Sequence, residues 1–185
     1  GIFTIKDISE RTAEALEERL GKWGVELWYK SQGIHNGEVS QYHEAKSVST
    51  ENTFDENKTD MVFLMSELVR MVEKIAYELR QDGKVAGCVA VKIRYPDFET
   101  TSRQTTVPYT CADDEIIPVA KELFNKLWKK GSPIRLVGVR LSELTNDAVQ
   151  TNLFDDVERK NDLYKAIDNV KQRFGKASVK RASSN

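Results

Sequence analysis

Residues 85–95, VAGCVAVKIRY, constrain the fold more than any other stretch. Apolar Val91 and Ile93 alternate with cationic Lys92 and Arg94. Because successive side chains of a β-strand point to opposite faces, this run predicts a strand with one apolar and one cationic face. Such a strand belongs in a sheet that is covered on one side only.

The neighbouring segments supply the rest of a compact domain. Apolar residues recur at helical spacing through residues 59–82, and Asp82–Gly83 ends that helix. Pro118 fits the first turn of a second helix that ends at Gly131. The resulting β-α-β-β-α-β order predicts an α+β fold, with a four-stranded sheet and two helices on one face. The predicted strands are residues 46–54, 85–95, 99–107 and 134–144.

The flanking regions are predicted to be helical or polar. Short helices are expected at the N-terminus, and a C-terminal helix is expected over about 156–174. The apolar stripe of that C-terminal helix is predicted to be Leu163, Ile167, Val170 and Phe174. The predicted organisation is a helical piece at 1–33, a linker at 34–45, the α+β domain at 46–145, a short segment at 146–155, and a helix with a mobile basic tail at 156–185.

Charge is distributed unevenly along a chain whose net charge is only −1. The predicted strands carry six cations and three carboxylates, whereas residues 55–82 carry four cations and seven carboxylates. Cationic and hydroxyl side chains are the usual contacts to nucleic-acid phosphates, so the uncovered face is interpreted as a backbone-binding surface. A solvated face whose charges prevent aggregation remains an open alternative. The candidate contact residues are Ser47, Ser49, Lys92, Arg94, Thr101, Ser102, Arg103, Thr105 and Arg140.

An RNA-binding module with the same strand order is a weaker interpretation. Such modules stack bases on aromatic residues of their central strands. The third predicted strand, residues 99–107, has no aromatic residue, and Tyr95 falls on the apolar side of its strand. Binding to the backbone is therefore favoured over base stacking.

No catalytic or metal-binding constellation is predicted. The acidic run at 113–115 precedes a predicted helix, where negative charge is favoured by the helix dipole, so a metal site there is disfavoured. His35 and His43 lie eight residues apart without a nearby cysteine, which is not the spacing of a structural zinc site. Cys88 and Cys111 do not make a disulfide framework, and the reducing cytoplasm is the expected compartment. No cofactor and no membrane association are expected.

The segment 146–156, NDAVQTNLFDD, places two large apolar residues in a polar context. A hydrophobic staple would need Phe154 to pack on Arg159, which is a poor apolar partner. Leu153 and Phe154 suit a short peptide that inserts into the pocket of a partner, with Gln150 supplying an amide contact. The segment therefore predicts a protein-docking site.

Several of these stretches resemble one family when taken in order. KSVSTENTF, VKIRYPDFETTSRQTT, LVGVRLSEL and QTNLF resemble the C-terminal part of Y-family translesion DNA polymerases. GIFTIKDI and ERLGKWGVELWYKSQGI are similar to the back half of their thumb domain, and residues 46–144 are similar to their little finger. The resemblance covers roughly residues 1–175, and the chain is expected to be a fragment of a longer polymerase.

The resemblance implies a function as well as a fold. It implies that the sheet grips primer–template DNA without sequence specificity, and that Gln150, Leu153 and Phe154 bind the polymerase sliding clamp. It also implies that the catalytic palm and its Mg²⁺ lie outside this chain, so the fragment, expected to be a monomer, should not polymerise DNA by itself. The alternative is a protein-interaction module that works through QTNLF alone.

Overall fold

A computed structural model describes residues 1–35, 37, 45–146 and 157–182, except the side chains of 157–159 and 161. The chain divides into two compact units, residues 1–43 and 44–185, which are described separately. In the part of the chain that the structure describes, no helix is both long and apolar enough to span a bilayer. The elements are α1 Ile5–Ser9, α2 Ala13–Leu20, α3 Lys22–Ser31, β1 Ser47–Lys58, α4 Met61–Gln81, β2 Val85–Arg94, β3 Thr100–Thr110, α5 Asp113–Leu127, β4 Ile134–Thr145 and α6 Val157–Phe174.

The first unit is a small helical assembly. Thr4 and Asp7 form a capping box at the start of α1, and the Thr12 hydroxyl accepts a hydrogen bond from a backbone N–H of α2. These caps satisfy donors that helix starts leave without partners. Leu16 of α2 is buried against α3, where Gly24 permits the close approach, because a Cβ at Gly24 would lie 2.1 Å from the Leu16 carbonyl oxygen.

The second unit contains a four-stranded sheet in the order β1-β4-β2-β3, in which every neighbouring pair is antiparallel. Helices α4 and α5 pack on one face of this sheet. The predicted β-α-β-β-α-β fold, with two helices on one face, is therefore confirmed. Strands β4 and β2 occupy the centre, and β1 and β3 form the edges.

The core lies between the sheet and the two helices. Val91, Ile93 and Val139 point from the central strands into the helix-covered core, where Leu68 and Ile75 of α4 are fully buried. The alternation of the central strands and the helical spacing of α4 predicted this core correctly. Each such side chain contributes about 1.5–3 kcal/mol when it is removed from water.

Helix α5 begins earlier than predicted. It starts at Asp113, so that Pro118 lies in the second turn rather than the first. A proline inside a helix costs about 3 kcal/mol, because one backbone hydrogen bond is lost. The early start buries Ile116 and Ile117, which together offset that cost, and it places the acidic run 113–115 in the first turn, where the helix dipole favours it.

The predicted apolar stripe of α6 is wrong as a packing face. Leu163 and Phe174 are exposed, whereas Tyr164, Asp168 and Lys171 are buried. The reason is that α6 packs on the polar outer side of α4 and on the start of α5, rather than on the apolar core. We call the contacts that hold it the α6 interface: Arg80, Asp113, Asp114, Tyr164, Asp168 and Arg181.

A buried ion pair is at the centre of the α6 interface. Arg80 Nε and Nη2 donate to the two carboxylate oxygens of Asp168 at 2.8 and 3.0 Å, and both side chains are only 9% exposed. The Arg80 guanidinium also lies over the Tyr164 ring, 4.5 Å from its centroid. Burial lowers the pKa of Arg80, but the hydrogen bond and charge of Asp168 outweigh burial and leave that pKa raised.

The chain beyond α6 returns to the same interface. Arg181 Nη2 donates to Asp113 at 2.9 Å, and the Arg181 backbone N–H donates to Glu73 at 3.2 Å. Burial raises the pKa of Asp113, but hydrogen bonds from Arg181 and Tyr164 outweigh it and leave that pKa lowered. These contacts hold the basic tail at Arg181. The mobility predicted for the rest of the tail stays a prediction.

Candidate nucleic-acid interface

The face of the sheet that α4 and α5 do not cover presents four transverse rows of side chains. Residues that pair across antiparallel strands share a face, so the observed register fixes the members of each row. We call this surface the open face. In the strand order β1, β4, β2, β3 its rows are Ser47, Ser142, Cys88, Thr106; Ser49, Arg140, Ala90, Gln104; Glu51, Gly138, Lys92, Ser102; and Thr53, Leu136, Arg94, Thr100.

The centre of the open face is hollow. Ala90 and Gly138 are the smallest residues of the two middle rows, and they lie on the two central strands. Larger polar side chains surround them, and an open depression of about 490 Å³ results. Its walls include Ser49, Ser102 and Arg140. A concave surface lined by hydroxyl and guanidinium groups can accept a convex, negatively charged ligand.

Arg140 is the most available cation of this depression. Its side chain is exposed, and no carboxylate among the described residues forms an ion pair with it. Ser49 lies directly opposite on β1, and Ala90 lies opposite on β2. The five N–H donors of an arginine can bind a phosphate through two parallel hydrogen bonds, and nothing described in the structure already occupies them.

Lys92 lies on the open face as predicted, but its charge is not free. It forms an ion pair with Glu51, which reaches it from β1 across the intervening β4. The absence of a side chain at Gly138 permits this contact, since a Cβ there would lie 2.8 Å from Glu51 Cγ. Glu51 therefore neutralises much of the charge that Lys92 brings to the open face.

Arg94 occupies the outer row in a fixed orientation. Its Nε donates a hydrogen bond to Thr100 Oγ1 at 2.8 Å, which ties the side chain to β3. The side chain is half-buried, and no carboxylate in the described ranges pairs with it. Its two terminal nitrogens remain available for a ligand.

Three of the predicted contact residues do not lie on the open face. They are Thr101, Arg103 and Thr105. Their partners on β2 are Ile93, Val91 and Val89, which all point into the helix-covered core. The predicted placement of these three residues was wrong because residues 99–107 contain almost no apolar residue to set the phase of the strand, and a shift of one position reverses every side chain. Arg103 is nevertheless exposed, because β3 is an edge strand.

The remaining predicted residues on the sheet do share the open face. They are Ser47, Ser49, Lys92, Arg94, Ser102 and Arg140. The sequence interpretation missed Gln104 and Thr100, which follow from the correct phase of β3, and it did not anticipate the pairing of Glu51. The residues predicted to bind a clamp, Gln150, Leu153 and Phe154, lie outside the described residues, as does His43.

The acidic run at 113–115 is engaged in the α6 interface. Asp113 pairs with Arg181, and the Tyr164 hydroxyl donates to Asp114. Burial raises the pKa of Tyr164, and its hydrogen bonds to the two aspartates raise it further. Within the described ranges, no group of three or more His, Cys, Asp or Glu side chains could hold a metal ion.

Comparison with known proteins places the sheet in a family. Residues 45–153 match the family model described as the impB/mucB/samB family C-terminal domain. The chain belongs to this family. The match covers the described strands of the sheet and both helices that pack on it.

The relatives are polymerases, which confirms the predicted resemblance to Y-family enzymes. DNA polymerase IV of Methanoculleus marisnigri is 34% identical over 156 residues, 84% of this chain and 43% of the relative. DNA polymerase IV of Desulfatibacillum aliphaticivorans is 32% identical over 189 residues, and that of Dehalococcoides mccartyi strain CBDB1 is 33% identical over 181 residues. These alignments cover 99% and 97% of this chain, and 48% and 46% of the relatives. The chain therefore spans somewhat less than half the length of the curated relatives it matches.

Proposed function

We propose that the open face binds the sugar–phosphate backbone of primer–template DNA, as part of a translesion DNA polymerase. The observation that carries this proposal is Arg140, an exposed guanidinium without a described carboxylate partner, at the rim of a depression lined by hydroxyl groups. Membership of a family whose relatives are DNA polymerase IV supports it. Phosphate contacts suit lesion bypass, because they carry no sequence information.

The charges of the open face set the strength of this interaction. Arg94 and Arg140 lack described carboxylate partners, whereas Lys92 shares its charge with Glu51. Two to three neutralised phosphates correspond to a log–log salt slope of about −2 to −3 for duplex DNA. We expect weak binding by this chain alone, with affinity that falls as salt rises.

The residues on the helix side of β3 are expected to contribute less to DNA binding. Thr101 is half-buried toward the helices, so we assign it no contact with DNA. Arg103 and Thr105 are exposed on the same face at the sheet edge and are kept as peripheral contacts. The central role falls to the second row, where Ser49, Arg140 and Gln104 span the full width of the sheet.

We also propose that Gln150, Leu153 and Phe154 dock on a sliding clamp. Two adjacent apolar residues with a nearby amide suit insertion into a pocket on a partner protein. The alternative, in which docking through QTNLF is the only function, predicts that DNA binding is absent. Catalysis and its Mg²⁺ are assigned to the length of the relatives that this chain does not cover, and a cytoplasmic monomer is the expected state.

The test of the open face is a fluorescence-anisotropy titration of labelled primer–template DNA. Arg140→Gln removes one charge-assisted phosphate contact and should weaken binding about tenfold. The matched control is Lys165→Gln, which removes an exposed charge from α6 instead. Equal effects of the two substitutions, or binding that ignores a change in salt concentration, would contradict the proposal.

A second titration separates the two activities. Replacing Leu153 and Phe154 by alanine should abolish binding to a purified sliding clamp and leave the affinity for DNA unchanged. A loss of both activities would mean that the segment also contributes to DNA binding. Retention of clamp binding would remove these residues from the docking site.

A further inference from the structure

A cationic pocket of about 260 Å³ lies on the helix side of the second unit. The outer surface of α4, the last part of α6 and the residues just after α6 form its walls. Among the described residues, five cationic side chains line it: Arg70, Lys74, Lys171, Lys176 and Lys180. We call this site the lysine pocket. It shares no residue with the open face.

Most of this charge has no carboxylate partner in the described part of the chain. Arg70 pairs with Glu67 at 2.6 Å, and Glu73, the one carboxylate among the described residues that line the pocket, contacts Arg181. The other four cations, all lysines, form no ion pair with a carboxylate of the described residues. Four like charges around a small cavity repel one another, and a bound anion would offset that repulsion.

The unpaired charge is one indication of a ligand, and the burial of Lys171 is a second, independent one. It is only 8% exposed, and lysine is rarely buried to this degree without a partner. Its ammonium has no hydrogen-bond acceptor among the described residues, and it lies 5.8 Å from the centroid of the Tyr77 ring. The Lys176 ammonium lies 5.7 Å from the same centroid. Both lysines line the pocket, and a cation–π contact with one ring leaves their ammonium donors available to a ligand there.

We propose that the lysine pocket binds a phosphate-bearing polyanion. Lysine binds phosphate as a mobile point charge with three donors, and several lysines can follow an anion of two or more phosphates. The Tyr77 ring already carries two ammonium groups, so it is not offered for stacking with a base. The recognised chemistry is therefore the phosphate groups, either of a free polyphosphate or of a nucleic-acid strand.

Isothermal titration calorimetry with sodium tripolyphosphate and with a 5′-phosphorylated single-stranded oligonucleotide tests this site. The double variant Lys74→Gln/Lys176→Gln changes two side chains at exposed positions and should weaken binding at least tenfold. The charge-matched control is Lys126→Gln/Lys165→Gln, on the outer surfaces of α5 and α6, which should leave the affinity within twofold. An unchanged thermal transition would show that both variants fold.

The two probes distinguish the source of the phosphates. Tighter binding of tripolyphosphate supports a free polyphosphate, and tighter binding of the oligonucleotide supports a strand. The proposal is overturned if neither probe binds at 0.1 M salt, or if the two double variants lose affinity equally. Arg140→Gln should leave the lysine pocket unaffected, so failure of the open-face proposal and failure of this one are distinguishable.

Discussion

The open face and the α6 interface use arginine in opposite ways. In the α6 interface, Arg80 is buried and makes two hydrogen bonds to Asp168, and Arg181 is held by Asp113. On the open face, Arg140 is exposed and has no described carboxylate partner. The number of charges on a surface therefore does not by itself locate a binding site. The interactions of a guanidinium are available to a ligand only where the fold has not already satisfied them.

The largest effect is expected when the buried pair of the α6 interface is broken. Asp168→Ala leaves the Arg80 guanidinium buried without its main partner and should lower the free energy of unfolding by about 3–5 kcal/mol. Urea unfolding followed by circular dichroism measures this change. Asp162→Ala on the same helix, which breaks an exposed pair with Lys165, should cost well under 1 kcal/mol.

A double substitution sharpens this result. Arg80→Leu with Asp168→Leu removes both charges and should cost clearly less than Asp168→Ala, because no unpaired charge stays buried. If Asp168→Ala and Asp162→Ala had similar effects, the contrast between a buried interface and an exposed surface would fail.

The second largest effect is expected on acidification, which should weaken the α6 interface. The ordinary pKa of an aspartate is 3.8, and that of folded Asp113 is lowered. A lowered folded-state pKa gives stability that is complete above the unfolded value and is lost as the pH falls through the folded value. We therefore expect the amide signals of Tyr164 and Arg181 to shift below about pH 4. In Asp113→Asn this transition should be absent, and its persistence would assign the transition to another carboxylate.

A smaller effect of opposite sign is expected on the open face. Glu51→Gln removes the carboxylate that neutralises Lys92, and it should tighten binding to duplex DNA about two- to fivefold. Anisotropy titrations at constant salt measure it. Unchanged or weaker binding would mean that Lys92 does not face the DNA, even when its charge is free.

The smallest effect is expected when Lys92 and Glu51 are replaced together. The double variant Lys92→Gln/Glu51→Gln removes a cation and the carboxylate that pairs with it, so the net charge of the open face is unchanged and the affinity for duplex DNA should change less than twofold, far less than in Arg140→Gln. A loss as large as that of Arg140→Gln would show that the ion pair opens when DNA binds and that Lys92 then contacts the DNA.

The strand pattern predicted the central sheet but not its edge. Val91, Ile93 and Val139 set the phase of β2 and β4, because these strands bury one face. Strand β3 has polar residues on both sides through most of its length, so the face of Arg103 followed only from its pairing with Val91. A pattern of apolar residues carries no information where neither face is apolar.

The α6 interface could not be predicted from the apolar periodicity of the sequence, for a related reason. The apolar stripe of α6 predicted an inner face at Leu163 and Phe174, whereas the helix packs through Tyr164 and Asp168. No local pattern distinguishes its partner Arg80 from a solvated residue of α4. The ion pair of Arg80 with Asp168 has no local signature, since the two residues lie 88 positions apart.

The most direct test of the central claim is a map of amide chemical shifts as primer–template DNA is added to the isotopically labelled protein. If the open face binds DNA, the largest shifts fall on the row formed by Ser49, Arg140, Ala90 and Gln104, and the signals of Tyr164 and Asp168 stay unchanged. Shifts concentrated on α4 and α6, with the open face silent, would contradict it.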